Sequence, residues 1–425
     1  MTNKRLAIVA ISLFLLFVGF PCGNYLRAQY PFKFKAQQFD SIHNNFTKQW
    51  NDPEVEQRIS SGIKLNRMGF ATFSFKDENG KPIKNVEVSF EQTKHAFLFG
   101  CNLFMLKGFK TVEENKRYED AFSSVFNMAV VPFYWSDMEP EQGKIRYAKD
   151  CPPVYRRPTP DLCVEFCKKN DIVPKGHLLI WHQWLPTWLP DSRSEVKELM
   201  LKRFEEISAR YGKDIKYWDV IDEALHRKPE TMLPEDYVYT SIQEAARIFP
   251  SDSRFDIGDD MSTWKDTHLE DSPYYEMLRI LQLRNAPLDA VGFCFQAHFL
   301  PKHQYDPTVQ PLAMFKILDL YSKFQRPMQF TQVTLGELKN DPDAEKKQAE
   351  VVRNMYRLWF SYPNMEVINW WNLSDNTAAP SENACLPGLL NEDLSPKLAF
   401  KELYNLIKKE WWTNVKTNSG LESEI

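Results

Sequence analysis

From about residue 95 onward, short apolar runs alternate with amphipathic stretches, and the alternation repeats eight times. The runs are AFLFGCN (96–102), AVVPFYW (129–135), VPKGHLLIWH (173–182), IKYWDVIDE (215–223), RFDIGDD (254–260), LDAVGFCFQAH (288–298), PMQFTQVT (327–334) and MEVINWWNL (365–373). Each has the length and near-continuous apolar character of a strand buried on both faces. Between them lie helical patterns such as 192–212 and 343–362, whose charged faces read as solvated surface. Eight β–α units predict an α/β fold, a (β/α)8 TIM barrel over residues 95–410. An open doubly wound sheet shares this order of elements. However, no G-x-G-x-x-G or P-loop turn follows any strand, and the whole chain holds 15 Gly.

Upstream the pattern changes. Residues 40–68 read as helix, and 71–92 alternate apolar and polar positions around Asn79-Gly80, the signature of a β-hairpin. Residues 29–94 are therefore expected to form an N-terminal helix and hairpin lead-in, with 411–425 as a C-terminal tail. The first 28 residues read as an export signal: Lys4 and Arg5 precede the apolar stretch Leu6–Phe20, and Leu26-Arg27-Ala28 fits a cleavage site. The stretch is too short for a spanning helix, so no membrane span is expected in the mature chain. A secreted or periplasmic protein follows, with lipid attachment at Cys22 as an alternative that would hold it at the cell surface.

Composition narrows the function classes. With 53 basic and 57 acidic side chains the formal net charge is −4, which gives no electrostatic case for nucleic acid. Aromatic content is high at 14%, with 12 Trp. Core packing accounts for most of these rings, while some offer flat faces suited to the apolar face of a sugar. Cys163 and Cys167 share a helix face, but no His or Cys cluster accompanies them, and buried small side chains are the expected reading. No metal site and no cofactor are implied.

In a barrel of this type, chemistry sits at the C-terminal ends of the strands. Those ends supply Trp135, His177, Trp181, His182, Asp222, Glu223, Asp259, Asp260, Gln296, His298, Gln332, Trp371 and Asp375. Glu223 ends the apolar segment YWDVIDEAL, where burial and the neighbouring Asp222 both favour a protonated carboxyl. That is what a glycosidase needs in its proton donor. From spacing alone, a Glu that caps the following helix is an equal alternative.

Several of these segments, in order, resemble family 10 glycoside hydrolases, the endo-β-1,4-xylanase family. KGHLLIWHQWLPTWL (175–189) resembles its third-strand motif G-H-x-L-x-W-H with a following P-x-W. WDVIDEAL resembles the fourth-strand W-D-V-x-N-E-A, whose Glu is the general acid/base. GFCFQAHF (292–299), NWWNLSD (369–375) and MEPEQGK (138–144) resemble its sixth-strand, eighth-strand and post-second-strand motifs. The resemblance runs from about residue 68 to 408. It implies the TIM barrel, with Glu223 as acid/base and His177, His182, Gln296 and His298 in the site. The substrate it implies is a β-linked plant-type polysaccharide or oligosaccharide, xylan first.

The departures matter as much. The family's seventh strand ends Thr-Glu with that Glu as nucleophile, whereas this chain has Thr331-Gln332. An amide is too weak a nucleophile to form the glycosyl ester. The family's Asn before the acid/base is Asp222 here, and an ionised Asp only accepts hydrogen bonds. VVPFYW lacks the second-strand Glu-Asn pair and Lys that grip the sugar.

Three readings stay open. The first is a hydrolase in which Glu223 donates the proton and another carboxylate replaces the nucleophile, with Glu337 in the loop after strand seven as a candidate and Asp222, Asp259 and Asp375 as others. The second is a catalytically disabled carbohydrate-binding barrel whose groove is lined by Trp135, Trp181, Trp184, Trp188 and Trp371. The third is a metal-dependent hydrolase using His177 and His182, for which no ligand spacing speaks.

Overall fold

The computed structural model describes residues 46–70, 73–83, 87–226, 232–266, 268–297, 310–337 and 341–418. The expected export signal, Cys22 and His298 lie outside them. Among the described residues, no helix is long and apolar enough to cross a membrane.

The eight apolar runs form eight parallel strands: β2 (Leu98–Asn102), β3 (Met128–Pro132), β4 (Val173–Ile180), β5 (Tyr217–Ile221), β6 (Arg254–Ile257), β7 (Ala290–Ala297), β8 (Met328–Leu335) and β9 (Met365–Trp370). They pair in chain order, and β9 returns to β2 to close the barrel. A helix follows each strand; those over Arg193–Tyr211 and Ala344–Phe360 match the predicted amphipathic stretches. The first is started by Ser192, whose hydroxyl accepts from the Glu195 amide at 3.5 Å.

Side chains fill the barrel in layers. Leu98, Met128 and Val367 pack with Val173 and Tyr217 in an apolar group from five strands. Further along, Lys175 Nζ is held by Asp219 at 2.7 Å, Asp256 at 2.9 Å and Gln329 at 2.7 Å. An aromatic group of Phe104, Tyr134, Trp181 and Trp371 comes from the C-terminal strand ends and the loops after them. Outside the barrel, Trp218 and the helices form the main core.

The lead-in departs from the predicted hairpin. The turn at Asn79-Gly80 is present, with Gly80 at φ +79°, and among the described residues an isolated bridge, Lys76 with Pro82, joins its arms. Further along, β1 (Glu87–Glu91) pairs antiparallel with β10 (Asn414–Asn418). Part of the expected tail is thus a strand, paired with the segment just before the barrel. Cys163 and Cys167 are buried, as expected.

Gly176 on β4 shows how closely barrel and outer core meet: a Cβ there would stand 2.1 Å from the Trp218 ring. Gly176→Ala is expected to cost about 3 kcal/mol or more by overpacking, read as a lowered urea midpoint.

Candidate functional site

The end of β5 presents two carboxyls in succession. Asp222 is 5% exposed and Glu223 3%. In a regular strand, successive side chains point to opposite faces. Glu223 escapes that rule because its backbone adopts φ +50°, a left-handed conformation that costs a non-glycine residue roughly 1 kcal/mol or more. Gln183, just after β4, donates from Nε2 to Glu223 Oε2. Burial, then the charges of Asp222 and Asp260, push the Glu223 carboxyl up to about 8. Burial also raises Asp222, to about 6, with the hydrogen bond from the Gln332 amide holding it back. Asp222 therefore ionises first and Glu223 keeps its proton near neutrality.

Gln332, on β8, faces this pair. Its Nε2 donates to Asp222 Oδ2 at 2.6 Å, and its Oε1 accepts from Gln296 Nε2 at 3.5 Å. Gln296, on β7, is thereby joined to the end of β5 through Gln332. Gly258, after β6, leaves room for Asp222: a Cβ there would be 3.2 Å from Oδ1.

His177 links the site to the layer beneath. Its Nδ1 lies 2.8 Å from Asp219 Oδ2 and its Nε2 3.1 Å from the Tyr134 hydroxyl. Burial pushes the ring down to about 4, so it is neutral near pH 7. Asp219 only accepts, so the ring proton sits on Nδ1 and Tyr134 donates to Nε2. Trp371 meets the His177 ring edge-on with centroids 5.2 Å apart. Trp181 stacks near Trp184 at 6.4 Å, and His182 is buried beside it.

Two predicted positions fall elsewhere. Trp135 does not point into the mouth: β3 stops at Pro132, and Trp135 opens a one-turn helix. Its ring packs in the outer core against Trp188, and its Nε1 donates to Glu139 at 3.0 Å. Tyr134 takes the inward place, with the Arg157 guanidinium 3.9 Å over its ring. Glu337 is held by the buried Lys397 ammonium at 2.7 Å, which also binds Asp375 at 2.6 Å. These three tie the loops after β8 and β9 to the last barrel helix, and Glu337 is committed to that task.

Sequence reasoning missed Gln183 and Tyr134. Each adjoins a residue it selected, so the motif was legible but the direction of each side chain was not. It also missed His226, whose Nε2 lies 3.1 Å from Asp260. That contact raises the imidazole to about 9 and, against burial, holds Asp260 below its usual value. His226, Asp259 and Asp260 bring potential ligand atoms within 4.8 Å of one another. His177 and His182 are not part of that group.

Comparison with known proteins fits this geometry. The sequence profile of glycosyl hydrolase family 10 matches residues 93–406. Endo-1,4-beta-xylanase B of Thermotoga neapolitana is 23% identical over 317 residues, covering 70% of this chain and 82% of that one. Anti-sigma-I factor RsgI6 of Acetivibrio thermocellus is 23% identical over 370 residues, 86% of this chain. This chain spans 43% of that relative's length, and 31% of the endo-1,4-beta-xylanase 5-like protein of Arabidopsis thaliana. Xylanase 10B from Thermotoga petrophila, solved in complex with xylobiose, shares the fold with a TM-score of 0.61 at 17% identity. The match covers 74% of this chain and 95% of that one. With the profile running through all eight barrel strands, the chain belongs to glycosyl hydrolase family 10.

Proposed function

We propose that the protein is an exported hydrolase of O-glycosidic bonds in a β-1,4-linked, xylan-type polysaccharide, with Glu223 as the proton donor. The observation that carries this reading is the pair of adjacent buried carboxyls with unequal proton affinity at the end of β5. Near neutral pH the pair holds one proton to give and one negative charge to offer. That is the division of labour glycoside hydrolysis requires. The Glu223 proton passes to the glycosidic oxygen as the bond from that oxygen to the anomeric carbon breaks. The names of the relatives support xylan as the substrate class. Gln332 cannot serve as nucleophile, so no glycosyl ester forms on β8. The Trp371 ring offers an apolar face to a sugar, and His177, with both ring nitrogens engaged, braces that ring edge-on.

A second reading is a carbohydrate-binding barrel without turnover. The observation that favours it is the amide at 332, bonded to Asp222 at 2.6 Å instead of standing as a carboxylate. Assays against a panel of β-linked polysaccharides, run beside binding isotherms, separate the two. Saturable xylan binding with no released sugar selects the binder.

If the hydrolase reading holds, Glu223→Gln is expected to lower kcat/KM about a thousandfold with the fold unchanged. The pH profile is expected to be bell-shaped. Activity falls below about 6 as Asp222 takes up a proton, and above about 8 as Glu223 loses its own. These limbs belong to the pair as a unit. Glu337→Gln is expected to lower the melting temperature, because it removes a partner of the buried Lys397, while leaving kcat/KM within about twofold.

A further inference from the structure

The bond between Asp222 and Gln332 carries more than support for a side chain. An ionised carboxylate only accepts, so the amide must turn its NH2 group toward Asp222 and its oxygen toward Gln296, as found. In the family pattern the residue before the acid/base is Asn, and the seventh strand ends in Glu. The amide there belongs to the fourth strand and the carboxylate to the seventh. In this chain each position bears the other's functional group, and one NH2 still meets one carboxylate across the mouth.

We infer that Asp222 and Gln332 are a transposed carboxylate–amide pair, in which the negative charge that the family holds on the seventh strand is supplied by Asp222 on the fourth. The inference rests on the hydrolase reading for its chemistry but not for its geometry. The other carboxyls placed at the mouth are already engaged. Asp260 is held by His226 at 3.1 Å, and Asp219 by Lys175 and His177. Asp375 and Glu337 are held by Lys397, while Asp259 accepts from Ser262 and Thr263, each at 3.4 Å. Glu223 retains the proton. Asp222 and Asp259 both accept from neutral donors, and of the two it is Asp222 that adjoins Glu223 and is bonded to position 332, at 2.6 Å.

The step balances with these groups alone. The Glu223 proton moves to the leaving oxygen as the glycosidic bond breaks, and Asp222 faces the positive charge that develops at the anomeric carbon. A water oxygen then bonds to that carbon, and a proton from this water returns to Glu223. A fixed negative charge opposite a developing positive one, in a site closed to bulk water, is a strong source of rate.

The test is a cycle of four proteins: wild type, Asp222→Asn, Gln332→Glu, and the double variant carrying both changes. Each is measured for thermal unfolding and for hydrolysis of an aryl β-xyloside. Gln332→Glu sets two buried carboxylates face to face and is expected to lower the melting temperature by about 5 °C or more. The double variant restores one amide and one carboxylate and is expected to return to within about 2 °C of wild type. If Gln332→Glu aggregates while the double variant stays soluble, that is the same result in stronger form. On activity, Asp222→Asn is expected to lower kcat/KM at least about a hundredfold, and the double variant to regain at least about tenfold of that loss. The transposition is overturned if Gln332→Glu melts at or above wild type, or if the double variant is no more stable than the weaker single one. An active wild type whose Asp222→Asn form retains more than about a third of kcat/KM removes Asp222 from the chemistry. A wild type inactive on every glycoside sinks the hydrolase reading, and the melting cycle then decides the transposition by itself.

Discussion

Lys175 places an ammonium in the middle of the barrel, fully buried, and the arrangement above it follows from how that charge is met. An unpaired ion there would cost several kcal/mol. Asp219, Asp256 and Gln329, from three other strands, surround it within 2.9 Å. Burial and the neighbouring Asp219 push the Asp256 carboxyl above its usual range, while the Lys175 ammonium opposes the shift. The other oxygen of Asp219 takes the proton of His177 Nδ1, which turns Nε2 toward Tyr134. The ion cluster thereby orients the floor of the mouth.

The mouth itself faces a problem of like charges. Asp222, Glu223, Asp259 and Asp260 all gather at the ends of β5 and β6, largely out of water. They cannot all ionise at neutral pH. His226 meets Asp260, Glu223 keeps its proton, burial raises Asp259 to about 7, and Gln332 supports Asp222. A carboxylate at 332 would add another charge at hydrogen-bond distance from Asp222. Given Asp222, an amide at 332 is the arrangement that avoids this, and given that amide, Asp222 can carry its charge. The two departures from the family pattern are one electrostatic solution.

Much of this was legible in the chain because it was local. The eight strands appeared as apolar runs, and the polar residues at their ends followed from the direction of parallel strands. What was not legible depended on distant partners or on a broken period. The pairing of Glu87–Glu91 with Asn414–Asn418 joins segments over 300 residues apart, while the nearby Asn79-Gly80 turn pointed to a local hairpin. Tyr134, not Trp135, faces the mouth because β3 ends two residues earlier and a helical turn resets the alternation. Glu337 looked free to enter the site because Lys397, its partner, lies 60 residues further along the chain. Glu223 and Asp222 both reach the mouth only because one backbone angle is left-handed, which residue type alone does not announce.

The departures from the family pattern fall on two of the three parts of a glycosidase site. The grip on the sugar has changed: where the pattern has a Lys and a Glu-Asn pair, Tyr134 bonds to His177 under the Arg157 guanidinium. On the proposed reading, the seat of the negative charge has changed from 332 to 222. The proposed proton donor has not: Glu223 keeps its strand end, its burial and its raised proton affinity. A groove that only bound sugar would gain nothing from a carboxyl held protonated in a left-handed turn beside a second carboxyl, since both features cost stability. On the proposed reading, the retained part governs whether a bond can be broken. The altered parts govern which sugar is held and from which side the charge acts. On that reading, altered substrate choice is the consequence that fits this pattern of change.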